Sequence, residues 1–233
     1  MESTLRMSVT MPSSFARFLG RGVHGILLCQ TETADAVRAF VESCRYPHNT
    51  IGVDPAIPSP MERMGGAIRV KDDRTDSACR QLLGIGTRGR GSESTAAPIW
   101  GLSTEEYMAR CDPWPLNPKG ELLLGVKLES PEGVANCESI LAVPGLGFAE
   151  IGPGDLSLSL GYLTIPGEPY PPEMQKARDR VLAACRKNGI AFLQACTADN
   201  VVARIDEGVR VIAGHSEASA IKGRAYQKRK LPA

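Results

Sequence analysis

The chain has 233 residues, of which 42% are hydrophobic and 23% charged, and its formal net charge is +1. This length and composition predict a globular protein with one sizeable core. The balanced charge argues against a nucleic-acid partner, and no apolar run approaches the length of a membrane span. Seven cysteines without paired metal-ligand spacing predict free thiols in a reducing compartment rather than a disulfide scaffold.

The first 21 residues permit two interpretations. They are rich in Ser, Thr and Arg, and Glu2 is their only acid, which is typical of a mitochondrial transit peptide. Alternatively, the run from Leu5 to Val9 is the first strand of the fold. We expect a cytoplasmic protein, with mitochondrial targeting as the alternative.

Short apolar runs alternate with amphipathic segments of helical period along most of the chain. The alternation is the signature of an α/β fold with a parallel sheet. Strands are predicted near residues 5–9 and at 24–29, 121–129, 147–151, 190–196 and 209–214. Helices are predicted at residues 33–45, 131–143 and 171–189, and from about Thr197 to Gly208.

Residues 47 to 120 do not follow this alternation. They are rich in Gly and Pro and are expected to be mostly irregular, apart from a helix at "STEEYMARC", where Ser103 and Glu106 form a capping-box pattern. The segment with Arg88 and Arg90 is either a grip for an anion or a mobile solvated loop. We therefore predict one domain over residues 1–233, with 47–120 as a long loop region inside it.

The most specific stretch is "GFAEIGPGDLSLSLGY", residues 147 to 162. A strand that runs into Gly-Pro-Gly lets the backbone come close to a ligand, because glycine has no side chain to obstruct it. Such a turn also forms a small anion-binding nest beside Asp155, whose carboxylate could hold a cation. This combination suits a metal-bound organic acid. In the alternative interpretation, Asp155 only caps the helix that follows.

Residues 127 to 162 resemble the HpcH/HpaI aldolase family, which is related to citrate lyase β-type proteins. The resemblance consists of Glu129 at a strand end and, twenty-six residues later, the Asp of G-P-G-D-L-S. It continues through residues 21 to 47 and more loosely to the C-terminus. It implies a (β/α)₈ TIM barrel of the phosphoenolpyruvate/pyruvate type, and the predicted strands amount to about six of the eight that such a barrel needs.

The resemblance implies a metal-dependent (class II) aldolase, a carbon–carbon lyase that acts on a 2-oxo acid such as pyruvate and on an aldehyde. Glu129 and Asp155 are then the ligands of Mg²⁺, Mn²⁺ or Co²⁺, and the N–H groups of Gly154 and Asp155 receive the substrate carboxylate. A cation on the carbonyl oxygen stabilises the enolate without moving a proton. Two carboxylates at strand ends leave coordination positions for water and substrate.

The family also carries an arginine on its third strand, sixteen residues before a glycine that opens the next strand. Counting back from Gly22 gives Arg6, so the resemblance implies that Arg6 stabilises the enolate oxygen. The same alignment implies that the first two βα units are absent, together with the family's catalytic histidine. Gly20 stands where the family has an Asp that supports this histidine.

None of the three histidines in the chain clearly replaces the missing one. His24 begins a predicted strand and His48 lies in a loop, whereas His215 follows the last strand at the end where barrel active sites lie. Lys127 shares a strand face with Glu129, where relatives often have Gln, and a Schiff-base role for it is a further alternative.

Two functions therefore stay open, and an incomplete gene model is a third explanation. One function is an active lyase; the other is a catalytically impaired relative that keeps a pocket for a metal and a 2-oxo acid. Exposed parallel edges of an incomplete barrel would pair with another chain, so we expect a homo-oligomer. A monomer in size-exclusion chromatography with light scattering would contradict this.

Overall fold

The computed structural model describes residues 5–7, 12–58, 82–214 and 216–230. Its strands are β1 (Leu5–Met7), β2 (Gly25–Leu28), β3 (Pro113–Trp114), β4 (Leu122–Leu128), β5 (Phe148–Ile151), β6 (Ala191–Cys196) and β7 (Val209–Gly214).

Helices connect and cover these strands. They are α1 (Pro12–Leu19), α2 (Ala34–Cys44), α3 (Glu93–Trp100), α4 (Thr104–Arg110), α5 (Pro131–Ala135), α6 (Cys137–Leu141), α7 (Pro153–Ser159), α8 (Pro172–Lys187), α9 (Val201–Asp206) and α10 (Glu217–Lys230). No helix in the described part of the chain is both long and apolar enough to cross a bilayer.

All strand pairs are parallel, and the order across the sheet is β1-β2-β4-β5-β6-β7. The predicted α/β fold with a parallel sheet is confirmed, and each of the six predicted strands is present. The two-residue strand β3, which pairs with the beginning of β4, was not predicted. Within the described residues, β1 and β7 each pair with one neighbouring strand.

The sequence of β4 shows how the sheet separates a core face from a polar one. Its residues at 122, 124, 126 and 128 are three leucines and a valine, all fully buried in the hydrophobic core. Because successive side chains of a strand point to opposite faces, Gly125 and Lys127 lie on the other face. A Cβ on Gly125 would lie 2.3 Å from Cζ of Phe148, so the glycine makes room for the aromatic ring of β5.

The described parts of the region from residue 47 to 120, which are residues 47–58 and 82–120, contain more regular structure than the sequence indicates; residues 59–81 lie outside the described part of the chain. The predicted capping box is present: Ser103 Oγ accepts from the N–H of Glu106, whose carboxylate accepts from the N–H of Ser103. Helix α3 was missed, because Pro98 lies inside it and a Gly-rich segment precedes it. It ends at Gly101, whose φ of 70° is the left-handed conformation that glycine favours.

Arg88 neither grips an anion nor lies in a solvated loop. It is buried, donates to Cys111 Sγ (2.9 Å), Ser92 Oγ (3.0 Å) and Tyr107 Oη (2.9 Å), and its guanidinium lies over the ring of Tyr46. Arg90 is exposed. Arg88 therefore fastens its loop to the core.

A fully buried ion pair connects the segment that contains Asp112 to the end of α2. Arg45, just after α2, contacts both carboxylate oxygens of Asp112 at 2.7 and 3.1 Å, and Asn117 donates to Asp112 as well. Such a bidentate pair is specific in geometry, so it fixes the position of Asp112 relative to the end of α2.

Candidate functional site

A polar cavity of about 300 Å³ lies where β2 and β4 end and α7 begins. The carboxyl ends of parallel strands meet at one edge of a sheet, which is where α/β proteins bind their ligands. Its lining residues all have polar side chains; they are Gln30, Glu32, Glu129, Ser130, Asp155 and Ser159. Glu129 and Asp155, the two metal ligands that the sequence predicts, thus line the same cavity.

Glu129 directly follows β4 and is only 2% exposed. Its Oε2 accepts a hydrogen bond from the backbone N–H of Gln30 at 2.9 Å. Gln30 has a φ of 51°, a left-handed conformation that is uncommon for residues other than glycine. Strained backbone of this kind is concentrated at functional sites, and here it accompanies an N–H bond to the Glu129 carboxylate.

Asp155 lies in the first turn of α7 and is exposed to the cavity. Among the described residues, no hydrogen bond reaches its carboxylate, so its side chain does not cap the helix. The first bond within α7 runs from the N–H of Leu156 to the carbonyl of Gly152. The N–H groups of Gly154 and Asp155 come before it, in the turn where helical N–H groups have no helical acceptor.

Ser159 ties α7 to the end of β4. Its hydroxyl contacts the carbonyl oxygens of Glu129 (3.0 Å) and Asp155 (2.9 Å). Ser130 begins α5 as predicted, because its Oγ accepts from the N–H of Gly133. These contacts hold the two carboxylate-bearing turns next to each other.

Glu32 is a third carboxylate on the cavity, and the sequence interpretation missed it. It follows β2 at the same edge of the sheet, and its Oε1 accepts from Ser130 Oγ at 2.8 Å. The sequence contained a signal for Glu32, because an acidic residue shortly after a predicted strand is the same feature that indicated Glu129.

A buried cluster of three charges stands behind the cavity. Lys127 Nζ lies 3.0 Å from Oε1 of Glu129 and 3.4 Å from Oε1 of Glu150, and the side chain of Lys127 is 7% exposed. Lys127 pairs in register with Glu150 across β4 and β5, which brings their side chains to the same face. The lysine that the sequence placed beside Glu129 is thus held between two carboxylates.

Gly152 makes this charge cluster possible. A Cβ at this position would lie 2.3 Å from Oε1 of Glu129 and 2.6 Å from Cε of Lys127. These separations are far below van der Waals contact, so any larger residue would displace the ion pair. Gly152, the first glycine of the Gly-Pro-Gly turn, therefore leaves the space in which the side chains of Lys127 and Glu129 lie close together.

The donor set of the cavity is compatible with a hard divalent cation. Glu129 and Asp155 supply carboxylate oxygens, the ligands that Mg²⁺ and Mn²⁺ prefer. Residues 12–58, 82–214 and 216–230 contain no cluster of three or more His, Cys, Asp or Glu side chains arranged around one point. A cation there would have two carboxylates from the protein and would complete its coordination with water or substrate oxygens.

The remaining predicted site residues are distributed as follows. Arg6 lies in β1, in register with Leu27 of β2; its side chain is outside the described part of the structure, and so is His215. His24 stacks on Trp100 with ring centroids 4.0 Å apart, and His48 lies beside Tyr46. Neither of these two histidines lines the cavity.

The described cysteines are mostly buried free thiols. Six are free thiols and five of these are buried; Cys79 is outside the described residues. Burial raises the pKa of Cys185 to about 12 and, together with the neighbouring Glu138, that of Cys137 to about 11. These two thiols are therefore protonated near neutral pH, and thiolate chemistry does not involve them.

The family model described as HpcH/HpaI aldolase/citrate lyase matches residues 1–220. A hydroxypyruvate/pyruvate aldolase of Chromohalobacter salexigens is 30% identical over 177 residues, which is 73% of this chain and 65% of the relative. A 4-hydroxy-2-oxo-heptane-1,7-dioate aldolase of Escherichia coli is 25% identical over 190 residues, which is 82% of this chain and 55% of that protein. The chain thus covers less than two thirds of the length of these curated relatives.

A solved structure supports the assignment of the fold. It is an HpcH/HpaI aldolase/citrate lyase family protein from Burkholderia cenocepacia J2315, with a TM-score of 0.63 and 23% sequence identity. The alignment covers 98% of this chain and 72% of that chain. The predicted fold class, an α/β fold of the TIM-barrel type, is confirmed by this likeness.

The close packing around Gly152 predicts that the Gly152→Ala variant is destabilised by about 1–3 kcal/mol, because the added methyl group displaces the buried Glu129–Lys127 pair. Urea unfolding monitored by circular dichroism measures this change. The matched control is Gly154→Ala in the same turn, where the nearest atom would lie at an ordinary 3.4 Å. Equal unfolding free energies for the two variants would contradict the packing argument.

Proposed function

This chain belongs to the HpcH/HpaI aldolase/citrate lyase family, and we propose that it is a metal-dependent carbon–carbon lyase. Its substrates would be a 2-oxo acid of the pyruvate type, converted to its enolate, and an aldehyde. The observation that carries the proposal is the placement of Glu129 and Asp155 on one polar cavity at the carboxyl end of the sheet. The names of the relatives, which are aldolases of pyruvate-type acids, support the substrate class.

Glu129 and Asp155 would hold the cation, Mg²⁺, Mn²⁺ or Co²⁺. When bound, it would withdraw charge from the carbonyl oxygen and so favour loss of a proton from the neighbouring carbon. Glu129 is fixed in orientation by the N–H of Gln30, whereas the carboxylate of Asp155 accepts no hydrogen bond from the described residues and can adapt to the substrate. A site of one rigid and one adjustable carboxylate suits a ligand that must enter and leave.

The substrate carboxylate would be received by the N–H groups of Gly154 and Asp155. Asp155 lines the cavity, and glycine at 154 leaves its backbone accessible, since among the described residues only Ile165 comes within 3.4 Å of its would-be Cβ. Arg6 would stabilise the enolate oxygen through its guanidinium charge. Its position in β1, two strands from β4, is compatible with that role.

The catalytically impaired alternative is a protein that binds a cation and a 2-oxo acid without reacting. It is favoured by one observation: neither His24 nor His48 lies at the cavity, and enolisation requires a base within hydrogen-bond reach of the substrate. His215 remains the histidine to test first, because it directly follows β7 at the carboxyl end of the strand.

Proton NMR of pyruvate in D₂O distinguishes these two functions without knowledge of the aldehyde. The proposal predicts loss of the methyl signal in the presence of protein and Mg²⁺, because the enolate takes up deuterium. The exchange should be abolished by chelation and by Asp155→Ala. It should persist in Asp179→Ala, an exposed aspartate on α8 outside the cavity. No exchange by folded, metal-loaded protein would overturn the lyase proposal in favour of binding alone.

A further inference from the structure

Each carboxylate oxygen of Glu129 lies close to a group of this chain, and within the described residues only Oε2 accepts a hydrogen bond, whereas Oε1 has an ion-pair contact. Oε2 accepts from the N–H of Gln30 at 2.9 Å, and Oε1 lies 3.0 Å from the ammonium of Lys127. Asp155, by contrast, is exposed. A cation that binds Glu129 therefore binds a carboxylate that already lies beside an ammonium group.

Lys127 is held where it is. Its side chain is 7% exposed, its Nζ also contacts Glu150 at 3.4 Å, and Gly152 packs directly against its Cε. Glu150 is itself nine-tenths buried and belongs to the adjacent strand β5. The ammonium is therefore a fixed positive charge, bound to the sheet from two strands, rather than a mobile surface group.

Two like charges at this separation repel each other, and the repulsion is weakly screened in a buried setting. A divalent cation on Glu129 would lie within a few ångströms of the Lys127 ammonium. The ammonium also partly neutralises the carboxylate that the cation needs. Both effects act in the same direction, and both weaken the binding of the cation.

We propose that Lys127 sets the metal affinity of this site, acting as a resident cation that competes with the divalent cation for Glu129. The proposal rests on the proposed function, because it takes Glu129 and Asp155 as the metal ligands. Lys127 is a positioning residue in this scheme and forms no bond with the substrate. Its consequence is a site that fills at higher cation concentration than the same two carboxylates would alone.

The experiment is a calorimetric titration of the purified full chain with Mn²⁺. The Lys127→Gln variant, which keeps a polar side chain of similar length but removes the charge, should bind Mn²⁺ roughly tenfold or more tightly than the wild type. Lys187→Gln, at the exposed end of α8, is the control for loss of one positive charge and should leave the affinity unchanged. A purely structural lysine would change the unfolding free energy of Lys127→Gln and leave its Mn²⁺ affinity at the wild-type value, which would overturn the proposal.

Glu150→Gln supplies the reciprocal test and keeps the proposal falsifiable if Lys127→Gln does not fold. It removes the charge of a carboxylate that shares the Lys127 ammonium with Glu129, so the ammonium then neutralises Glu129 more strongly, and Mn²⁺ binding should weaken severalfold. Unchanged or tighter binding in Glu150→Gln would overturn the proposal.

Asp155→Ala separates failure of this inference from failure of the proposed function. If Asp155→Ala binds Mn²⁺ as tightly as the wild type, the metal site itself is wrong. If it abolishes binding while Lys127→Gln equals the wild type, the metal site stands and only the role assigned to Lys127 is wrong.

Discussion

The carboxylate of Glu129 is held from two sides, and the geometry of the whole site depends on this arrangement. On one side is the Gln30 N–H at the end of β2, and on the other is the Lys127 ammonium on β4. The first contact ties the two neighbouring strands together at their carboxyl ends. The second leads, through Glu150, to β5. The cavity thus lies on a scaffold that three adjacent strands make rigid.

This arrangement has a cost that the fold offsets locally. Ionised groups withdrawn from water are unfavourable unless each is paired. Here one ammonium lies between two carboxylates, and the absence of a side chain at Gly152 lets the groups come close enough to interact. The cluster has two carboxylates and one ammonium, so it carries an excess negative charge. This charge, together with the exposed carboxylate of Asp155, favours the binding of a cation. The same buried pairing limits how strongly that cation is held.

The periodicity of the sequence carried most of the prediction of the fold. The short apolar run of β4 indicates a strand, and Ser130 and Pro131 mark the start of the next helix. Glu129 and Asp155 could be predicted because each follows a strand within a short recognisable motif. Such features are local, so a single stretch of sequence contains them.

The features that were missed depend on contacts between distant parts of the chain. Glu150 looks like an isolated charge in an apolar run until the register of β4 with β5 pairs it with Lys127. The contribution of Gln30 comes from its backbone N–H and left-handed φ, to which its side chain gives no clue. Arg88 reads as part of a loose Gly-rich loop, whereas its partners Tyr107 and Cys111 lie some twenty residues away. The roles of Arg6 and His215 stay predictions.

The most direct test of the account is anomalous diffraction from crystals grown with Mn²⁺ and pyruvate. If Glu129 and Asp155 hold the cation, an anomalous peak will lie in contact with their carboxylates, with the oxo acid completing the coordination. A fully occupied Mn²⁺ elsewhere, with Glu129 still bound only to Lys127 and Gln30, would contradict it.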